Sequence, residues 1–258
     1  MIQSVERAAR ILEVLGSGGS RLGVTELSTN LGLAKATVYG LLRALELHGL
    51  VEQDLETGKY RLGPALLQLG NAYLDNHELR ARSMRWAESL AGQTQEGVRV
   101  GVLAGPNVLV VHHVFRPDNS VQILEVGAAI PWHACALGKA IAAHVEPDRL
   151  KTLLQAQLPR LTGNTITVKR SLEADLKRTR TAGAAVDDQE AIVGEAGIAA
   201  AVFDHRGQPV GAIGVTGAVE RLLPSGPDTD MVTAVKEAAR GLSRELGAGR
   251  VASAIRSG

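Results

Sequence analysis

Several side chains that can donate hydrogen bonds lie between positions 35 and 43. Of all the side chains in this sequence, they are best suited to recognising another molecule. Four of them carry cationic or hydroxyl groups, and two small residues lie between them. The set consists of Lys35, Ala36, Thr37, Tyr39, Gly40 and Arg43. Small and donor-rich side chains suit close approach to base edges and phosphates, which present hydrogen-bond acceptors.

A helix must hold these donors on one side, and the spacing of apolar residues predicts one over 35–47. Residues at i, i+3, i+4 and i+7 form the opposite, apolar stripe. The stripe consists of Val38, Leu41, Leu42 and Leu45. A shorter helix, capped by Thr25, precedes it, and Gly32 between them tolerates the positive φ of a turn. With Ser28 small enough for close helix packing, the stretch 24–43 predicts a helix-turn-helix whose second helix enters the major groove.

A hairpin follows in the stretch VEQDLETGKYRL, with its turn near Thr57-Gly58. Strand side chains alternate, so Lys59 and Arg61 share one face and can lie along a phosphate backbone or minor groove. Residues 1–62 hold seven Lys/Arg and seven Asp/Glu, so net basicity is absent. A small helical bundle without a ligand is the alternative interpretation, but the added hairpin favours a winged DNA-binding domain.

Composition limits the remaining possibilities. The chain has 258 residues, 45% apolar residues, a formal net charge of +1 and one Cys. No intramolecular disulfide can form, and we see neither a signal-peptide pattern nor an apolar run of membrane-spanning length. These features predict a protein of the reducing cytoplasm, with no membrane partner.

The chain changes character along its length, and an α+β fold with three parts is predicted. A DNA-binding domain covers 1–62, a linker helix 63–77 and a larger domain 78–250. In the larger domain, β-rich runs at 97–105, 107–115, 120–127, 197–204 and 209–217 alternate with helices at 135–144, 147–157, 171–182 and 229–246. Mostly hairpin-linked strands among helices predict a mixed or antiparallel sheet.

One further group of residues could do chemistry, but a structural interpretation is favoured. It contains His112, His113, His133 and Cys135. Adjacent histidines on a strand point to opposite faces, so a shared metal is disfavoured and no metal or other cofactor is predicted. A single Cys is more often a small buried hydrophobe than a nucleophile. An enzyme with an accessory helical domain is the alternative function, but it lacks a convergent nucleophile and base.

Several motifs resemble one known family in the same order. They are IQSVERAARILEVL, LGLAKATVYGLLRALELHGLV, GKYRLGPALLQLG and PWHACALGKAIAA. The segment GAAVDDQEAIVGEAGIAAAVFD is similar to the family's C-terminal signature and departs from it at Gly197, where the family has Cys, Ser or Ala. The sequence resembles the IclR family of bacterial transcriptional regulators over nearly its whole length.

The resemblance implies a winged helix-turn-helix, a homodimer or dimer of dimers, and a GAF/profilin-like C-terminal domain that binds a small effector. It implies regulation of a catabolic operon, here expected to be repression. The implied DNA-facing residues are Ser28, Lys35, Ala36, Thr37, Tyr39, Gly40 and Arg43, with Lys59 and Arg61 on the wing. The implied effector residues are Ala136, Leu137, Asp187, Gly197, Gly214 and Thr216.

Those effector residues predict a ligand class. Thr216 can donate or accept a hydrogen bond, Asp187 can accept one from a hydroxyl, and the helix at 135–144 offers unpaired N–H groups. Gly197 and Gly214 are expected to leave open space, while only Lys139 lies near as a cation. A small polyol or its phosphate is therefore predicted, and a closer resemblance within the family implies glycerol or glycerol 3-phosphate. A regulator that senses an unrelated carboxylic acid remains the alternative.

Overall fold

The computed structural model describes residues 2–17, 21–118 and 120–248. Packing divides the chain into two compact units, one ending at Asn76 and the other beginning at His77. The outer limits of the predicted domains, positions 1 and 250, lie outside the described residues.

The first unit consists of four helices and a two-stranded hairpin among its described residues. In chain order they are α1 (Gln3–Ser17), α2 (Val24–Leu31), α3 (Lys35–Leu47), β1 (Val51–Gln53), β2 (Tyr60–Leu62) and α4 (Ala65–Asp75). One core joins the first three helices to the hairpin, with Ile11, Leu27, Val38, Leu42 and Tyr60 buried at its centre. The hairpin is antiparallel and pairs Glu52 with Arg61.

The turn between α2 and α3 has the predicted geometry, but the start of α2 does not. Gly32 takes the left-handed conformation with φ 66°, which a residue with a side chain rarely adopts. Gly23, and not Thr25, occupies the N-cap position, and its amide donates to Glu26 Oε2 at 2.6 Å. The Glu26 carboxylate therefore satisfies a backbone donor at the helix start, the task that a Thr25 hydroxyl was expected to perform.

The second unit contains most of the strands. Its helices among the described residues are α5 (Glu78–Thr94), α6 (Ala136–Ala142), α7 (Pro147–Gln155), α8 (Lys169–Ala182), α9 (Val219–Leu222) and α10 (Thr229–Glu245), with a 3-10 turn at Trp132–Ala134. Its strands are β3 (Gly97–Ala104), β4 (Asn107–Val114), β5 (Ala129–Pro131), β6 (Ala185–Asp188), β7 (Glu195–Phe203) and β8 (Pro209–Ala218).

These six strands form one sheet in the order β5-β4-β3-β8-β7-β6, and every neighbouring pair is antiparallel. Helices cover both faces. Ala212 on β8 packs in the core that contains α6 and α8, whereas a Cβ at the adjacent Gly211 would meet Leu79 of α5. Successive residues of a strand point to opposite faces, so α5 and α6 lie on opposite sides of the sheet.

One predicted strand is wrong and several short elements were not predicted. The stretch 120–127 forms neither helix nor strand among its described residues, and the edge of β4 pairs instead with the short β5. The strands β5 and β6 and the helix α9 have three or four residues each, too few for a clear period. Within the described ranges, no helix is long and apolar enough to cross a lipid bilayer.

Candidate DNA-binding surface and effector site

The donor-rich face of α3 is open to solvent. Lys35, Ala36, Gly40 and Arg43 are exposed, Tyr39 is half-exposed, and Thr37 is partly buried. On the opposite side, Val38, Leu42 and Leu45 are buried, while Leu41 is only partly buried. The surface over Gly40 is free, because a Cβ placed there would have no neighbour within 4 Å. The helix thus presents the predicted side chains where a groove can receive them.

Ser28 has a different position from the other predicted DNA-facing residues. Its Oγ donates to the carbonyl of Leu33 at 2.5 Å, and its own carbonyl accepts from the amide of Leu33 at 3.1 Å. These bonds tie the end of α2 to the residue that follows Gly32. Ser28 therefore fixes the angle at which α3 is presented.

Carboxylates already pair with the basic side chains on this surface. Arg61 Nε lies 2.5 Å from Glu52 Oε1, and Lys59 Nζ lies 3.4 Å from a Glu26 carboxylate oxygen. Arg43 Nη1 lies 2.8 Å from Glu46 Oε2. All three pairs are solvent-exposed, where an ion pair contributes little stability. A phosphate can therefore exchange with these carboxylates at small cost.

In the second unit, strand register brings the predicted effector residues together. Asp187, Gly197 and Thr216 lie in one row across β6, β7 and β8. The next row on the same face contains Ala199, Gly214 and Arg99, across β7, β8 and β3. Ala136 and Leu137 of α6 lie over these rows. All six predicted residues line one cavity, together with Arg99, Ile130, Cys135, Ala199 and Val215.

The cavity differs from the predicted one in its cations. Arg99 lines it, although no arginine was expected there, and Lys139 is engaged elsewhere. Lys139 is 1% exposed, and its ammonium contacts Glu190 Oε1 and lies 3.1 Å from Asp175 Oδ2. The sequence offered one signal for Arg99, an arginine inside the otherwise apolar strand GVRVGVLAG.

A network of polar side chains surrounds Arg99. Its Nη2 donates to Glu125 Oε1 at 2.7 Å and to Glu195 Oε1 at 2.8 Å, and its Nε donates to the second oxygen of Glu125. The hydroxyl of Thr216 donates to Glu195 Oε1 at 2.6 Å. The neighbouring carboxylates raise the pKa of Arg99 despite its burial. Arg99 therefore stays charged, and Glu125 and Glu195 balance its charge.

Asp187 is the second polar wall of the cavity. Burial raises the pKa of its carboxyl to about 7, against a hydrogen bond from the amide of Glu190 at 2.8 Å that favours the charged form. The carboxyl thus changes charge near neutral pH, and it can accept a hydrogen bond from a ligand hydroxyl.

The two predicted pocket glycines have different roles. A Cβ at Gly197 would make ordinary contacts, the nearest at 3.4 Å to the Cβ of Ala136, so this position has the expected room. A Cβ at Gly214 would lie 2.4 Å from the carbonyl oxygen of Ile198, so this glycine is needed for close approach between β8 and β7. The expectation that Gly214 opens space for a ligand was wrong.

The helix over the cavity is shorter than predicted. It covers Ala136–Ala142, seven residues instead of the ten of 135–144. Two turns of helix give a weak dipole, so its N-terminus is not a strong anion site. The polar side chains that line the cavity are those of Arg99, Asp187 and Thr216.

The residues considered for metal binding or nucleophilic chemistry lie apart. His112 and His113 pair with Val100 and Arg99 on β3, His133 bonds the carbonyl of Pro159 at 3.0 Å, and Cys135 is buried. Burial raises the pKa of the Cys135 thiol to about 12, so it is protonated at neutral pH. Among the residues that the structure describes, no three His, Cys, Asp or Glu side chains form a metal-binding group.

A winged helix-turn-helix joined to a separate α+β domain that contains a small cavity is typical of a DNA-binding transcriptional regulator. The IclR helix-turn-helix domain model matches residues 4–55, and the model of the bacterial transcriptional regulator IclR C-terminal domain matches residues 71–244. The chain belongs to the IclR family of bacterial transcriptional regulators, and it is a regulator rather than an enzyme.

Curated relatives and solved structures agree with this assignment. The chain is 50% identical to the glycerol operon regulatory protein of Streptomyces griseus and 49% identical to that of Streptomyces coelicolor; each match spans 96% of this chain and 98% of the relative. A crystal structure of an IclR regulator from Silicibacter sp. TM1040 superposes with a TM-score of 0.80 at 25% identity, covering 95% of this chain and 97% of that one.

Proposed function

We propose that this protein is a cytoplasmic repressor of genes for glycerol use, and that glycerol 3-phosphate or glycerol releases it from its operator. The observation that supports the proposal is the sequence identity of 50% and 49% to two glycerol operon regulatory proteins over almost the full length of each. This similarity does not by itself identify the effector, so the chemistry of the cavity must also suit the proposed ligand.

The chemistry of the cavity supports a small hydroxylated anion. Arg99 offers a planar fork of donors, which matches the oxygens of a phosphate or carboxylate. Asp187 and Thr216 can bond hydroxyl groups. Because a carboxylate fits the fork as well as a phosphate does, a small hydroxy acid is the second candidate effector.

A gel-shift titration tests the function as a whole. We expect the protein to shift a DNA fragment from upstream of a glycerol operon. We expect glycerol 3-phosphate to reverse this shift at a concentration at which an unrelated sugar phosphate has no effect. Failure to shift any such fragment at moderate salt would contradict DNA binding, and a shift that neither glycerol nor its phosphate reverses would contradict the effector.

Substitution of Arg43 should weaken operator binding, because its guanidinium lies on the exposed face of α3. We expect Arg43→Ala and Thr37→Ala each to cost ~1–3 kcal/mol, the usual value of a side chain that reaches a base edge. Glu46→Gln is the matched control, since it breaks the Arg43–Glu46 ion pair but keeps the arginine. If the wild type and both alanine variants bound the operator with equal affinity, the assignment of this face of α3 to DNA would be wrong.

The wing should contribute contacts that do not depend on sequence. We expect Lys59→Ala and Arg61→Ala each to weaken binding to all DNA sequences alike, and to reduce the slope of log K against log salt by about one. Leu55→Ala is the control, an exposed and uncharged residue of the same hairpin. A slope that is unchanged in the double variant would remove the wing from the interface.

Dimerisation should follow from apolar surface that one chain leaves uncovered. Helix α4 has no buried residue, and Leu67 and Leu69 on it are exposed, as are Ile2 and Val5 at the start of the chain. Such exposed patches mark protein interfaces, and a two-fold dimer suits a palindromic operator.

We expect a dimer or larger assembly at micromolar concentration in analytical ultracentrifugation, and a shift towards monomer in a Leu67→Glu, Leu69→Glu variant. Burying a charge without a partner opposes association. Leu55→Glu is the control for adding charge at an exposed leucine outside α4. A monomeric wild type at this concentration would contradict the proposal.

A further inference from the structure

The effector cavity is too small for the proposed effectors. Its volume is about 20 Å³, which is room for roughly one water molecule. Glycerol 3-phosphate needs several times that space, so binding requires one wall of the cavity to move. The strands and α6 form a packed core, and their movement would break many contacts.

The segment 121–127 lines a neighbouring cleft and reaches the cavity only through Glu125, which bonds the cavity residue Arg99; few apolar contacts hold this segment in position. It forms neither helix nor strand, and three of its large side chains point to solvent, with exposures of 100% for Val121, 81% for Ile123 and 61% for Leu124. A segment with little buried apolar surface opens at low free-energy cost. Polar contacts therefore decide its position.

At the two ends of the segment 121–127, the side chain of Gln122 bonds the backbone of Arg116, and the amide of Gly127 donates to the carbonyl of Val110 at 2.8 Å. Between them, Glu125 bonds Arg99. Glu125 holds the guanidinium through two hydrogen bonds, and the amide of Glu125 also bonds His113 Nδ1 at 3.3 Å. The other carboxylate on Arg99 belongs to Glu195 on strand β7, and the Thr216 hydroxyl fixes it. Of the two carboxylates on the guanidinium, only Glu125 can leave without disturbing the sheet.

Arg99 also joins the cavity to a larger space. A neighbouring cleft of about 220 Å³ shares Arg99 and Thr216 with the cavity, and its outer wall includes Gln122, Ile123 and Glu125. If the segment 121–127 moved outward, the cavity and the cleft would become one continuous site. That combined site approaches the 300–1,000 Å³ of ordinary small-molecule pockets.

We infer that Glu125 occupies the place of the ligand's anionic group on Arg99, and that a small hydroxylated anion binds by displacing it. Displacement removes the contact between Arg99 and the middle of the segment 121–127, which lets that part move outward and opens the cavity into the cleft. Arg99 then selects anions over neutral polyols, and Glu125 sets the affinity by competing with them. This inference rests on the proposed function in taking the cavity as the effector site.

The variant Glu125→Gln tests the inference, because it keeps the shape of the side chain and removes its charge. We expect amide hydrogen exchange over 121–127 to become faster in the variant without any ligand. We also expect calorimetry to show about tenfold tighter binding of glycerol 3-phosphate or of glycerate, with no gain for neutral glycerol. Glu78→Gln, which breaks the exposed Glu78–Arg82 ion pair, is the control for both measurements.

Each outcome separates this inference from the proposed function. Unchanged exchange over 121–127, or anion binding that is equal to the wild type, weaker or absent in Glu125→Gln, overturns the inference. The comparison of glycerol 3-phosphate with glycerate decides between phosphate and carboxylate as the source of the anion. Failure of the wild type to bind operator DNA, with faster exchange and tighter anion binding still seen in Glu125→Gln, would overturn the proposed function alone.

Discussion

Replacement of Lys139 by methionine is expected to lower the free energy of unfolding by about 3–5 kcal/mol, the usual cost of removing one partner from a buried ion pair. The lysine is almost fully buried, and its ammonium lies between Glu190 on the loop after β6 and Asp175 on α8. Methionine has a similar volume, so packing is kept and the change is mainly electrostatic. Lys177→Met, at an exposed position two residues from Asp175, is the control.

The pH dependence of this loss identifies its cause. Burial raises the pKa of Glu190, and the Lys139 ammonium opposes that rise. Without the ammonium the pKa of Glu190 rises further, so the folded variant binds a proton that the unfolded chain does not. A carboxyl whose pKa is raised by folding lowers the free energy of unfolding at a pH above that pKa. This loss shrinks as the pH falls, and it is gone below the pKa of the unfolded chain.

We therefore expect the difference in unfolding free energy between Lys139→Met and the wild type to narrow from pH 8 to pH 5. Urea titrations at both values measure it. A deficit that is independent of pH would point to lost packing, and a deficit below about 1 kcal/mol would contradict the buried ion pair itself.

Local patterns in the sequence were enough to predict the DNA-binding unit. The helix α3, the left-handed Gly32 and the hairpin at 51–62 depend on residues close in sequence, and periodicity reports such contacts directly. The face of α3 followed from the same periodicity. Ser28 shows the limit of this approach, because only coordinates reveal that its hydroxyl is bonded within the turn.

Contacts between distant strands decided the rest, and sequence spacing does not encode them. The stretch with Val121 and Ile123 alternates like a strand, but alternation cannot tell a side chain facing the core from one facing solvent. Arg99 was missed because its neighbours Glu195 and Gly214 are about a hundred residues away along the chain. Gly197 and Gly214 look alike in sequence, and only the distance to Ile198 separates them.

That separation shows which glycine can test the effector site. A side chain at Gly214 would collide with the backbone of β7, so a loss of function in a Gly214 variant would report misfolding. A Cβ at Gly197 fits without strain, and the three further carbons of a leucine there would fill the cavity of about 20 Å³ and press on its walls. Gly197→Leu is therefore the substitution that fills the site, at a cost in stability of about 1–3 kcal/mol and without the backbone collision expected at Gly214.

We expect Gly197→Leu to bind operator DNA with wild-type affinity and to lose release by glycerol 3-phosphate, with no heat of ligand binding in calorimetry. An effector that has no differential affinity for the two forms of the protein cannot shift it off DNA, so loss of binding removes the response altogether. Gly197→Ala is the matched control, because it adds only the methyl group that the structure accommodates, and it should keep most of the response. Melting temperatures of both variants check folding. If Gly197→Leu released DNA at the same effector concentration as the wild type, the effector would bind outside the row formed by Asp187, Gly197 and Thr216.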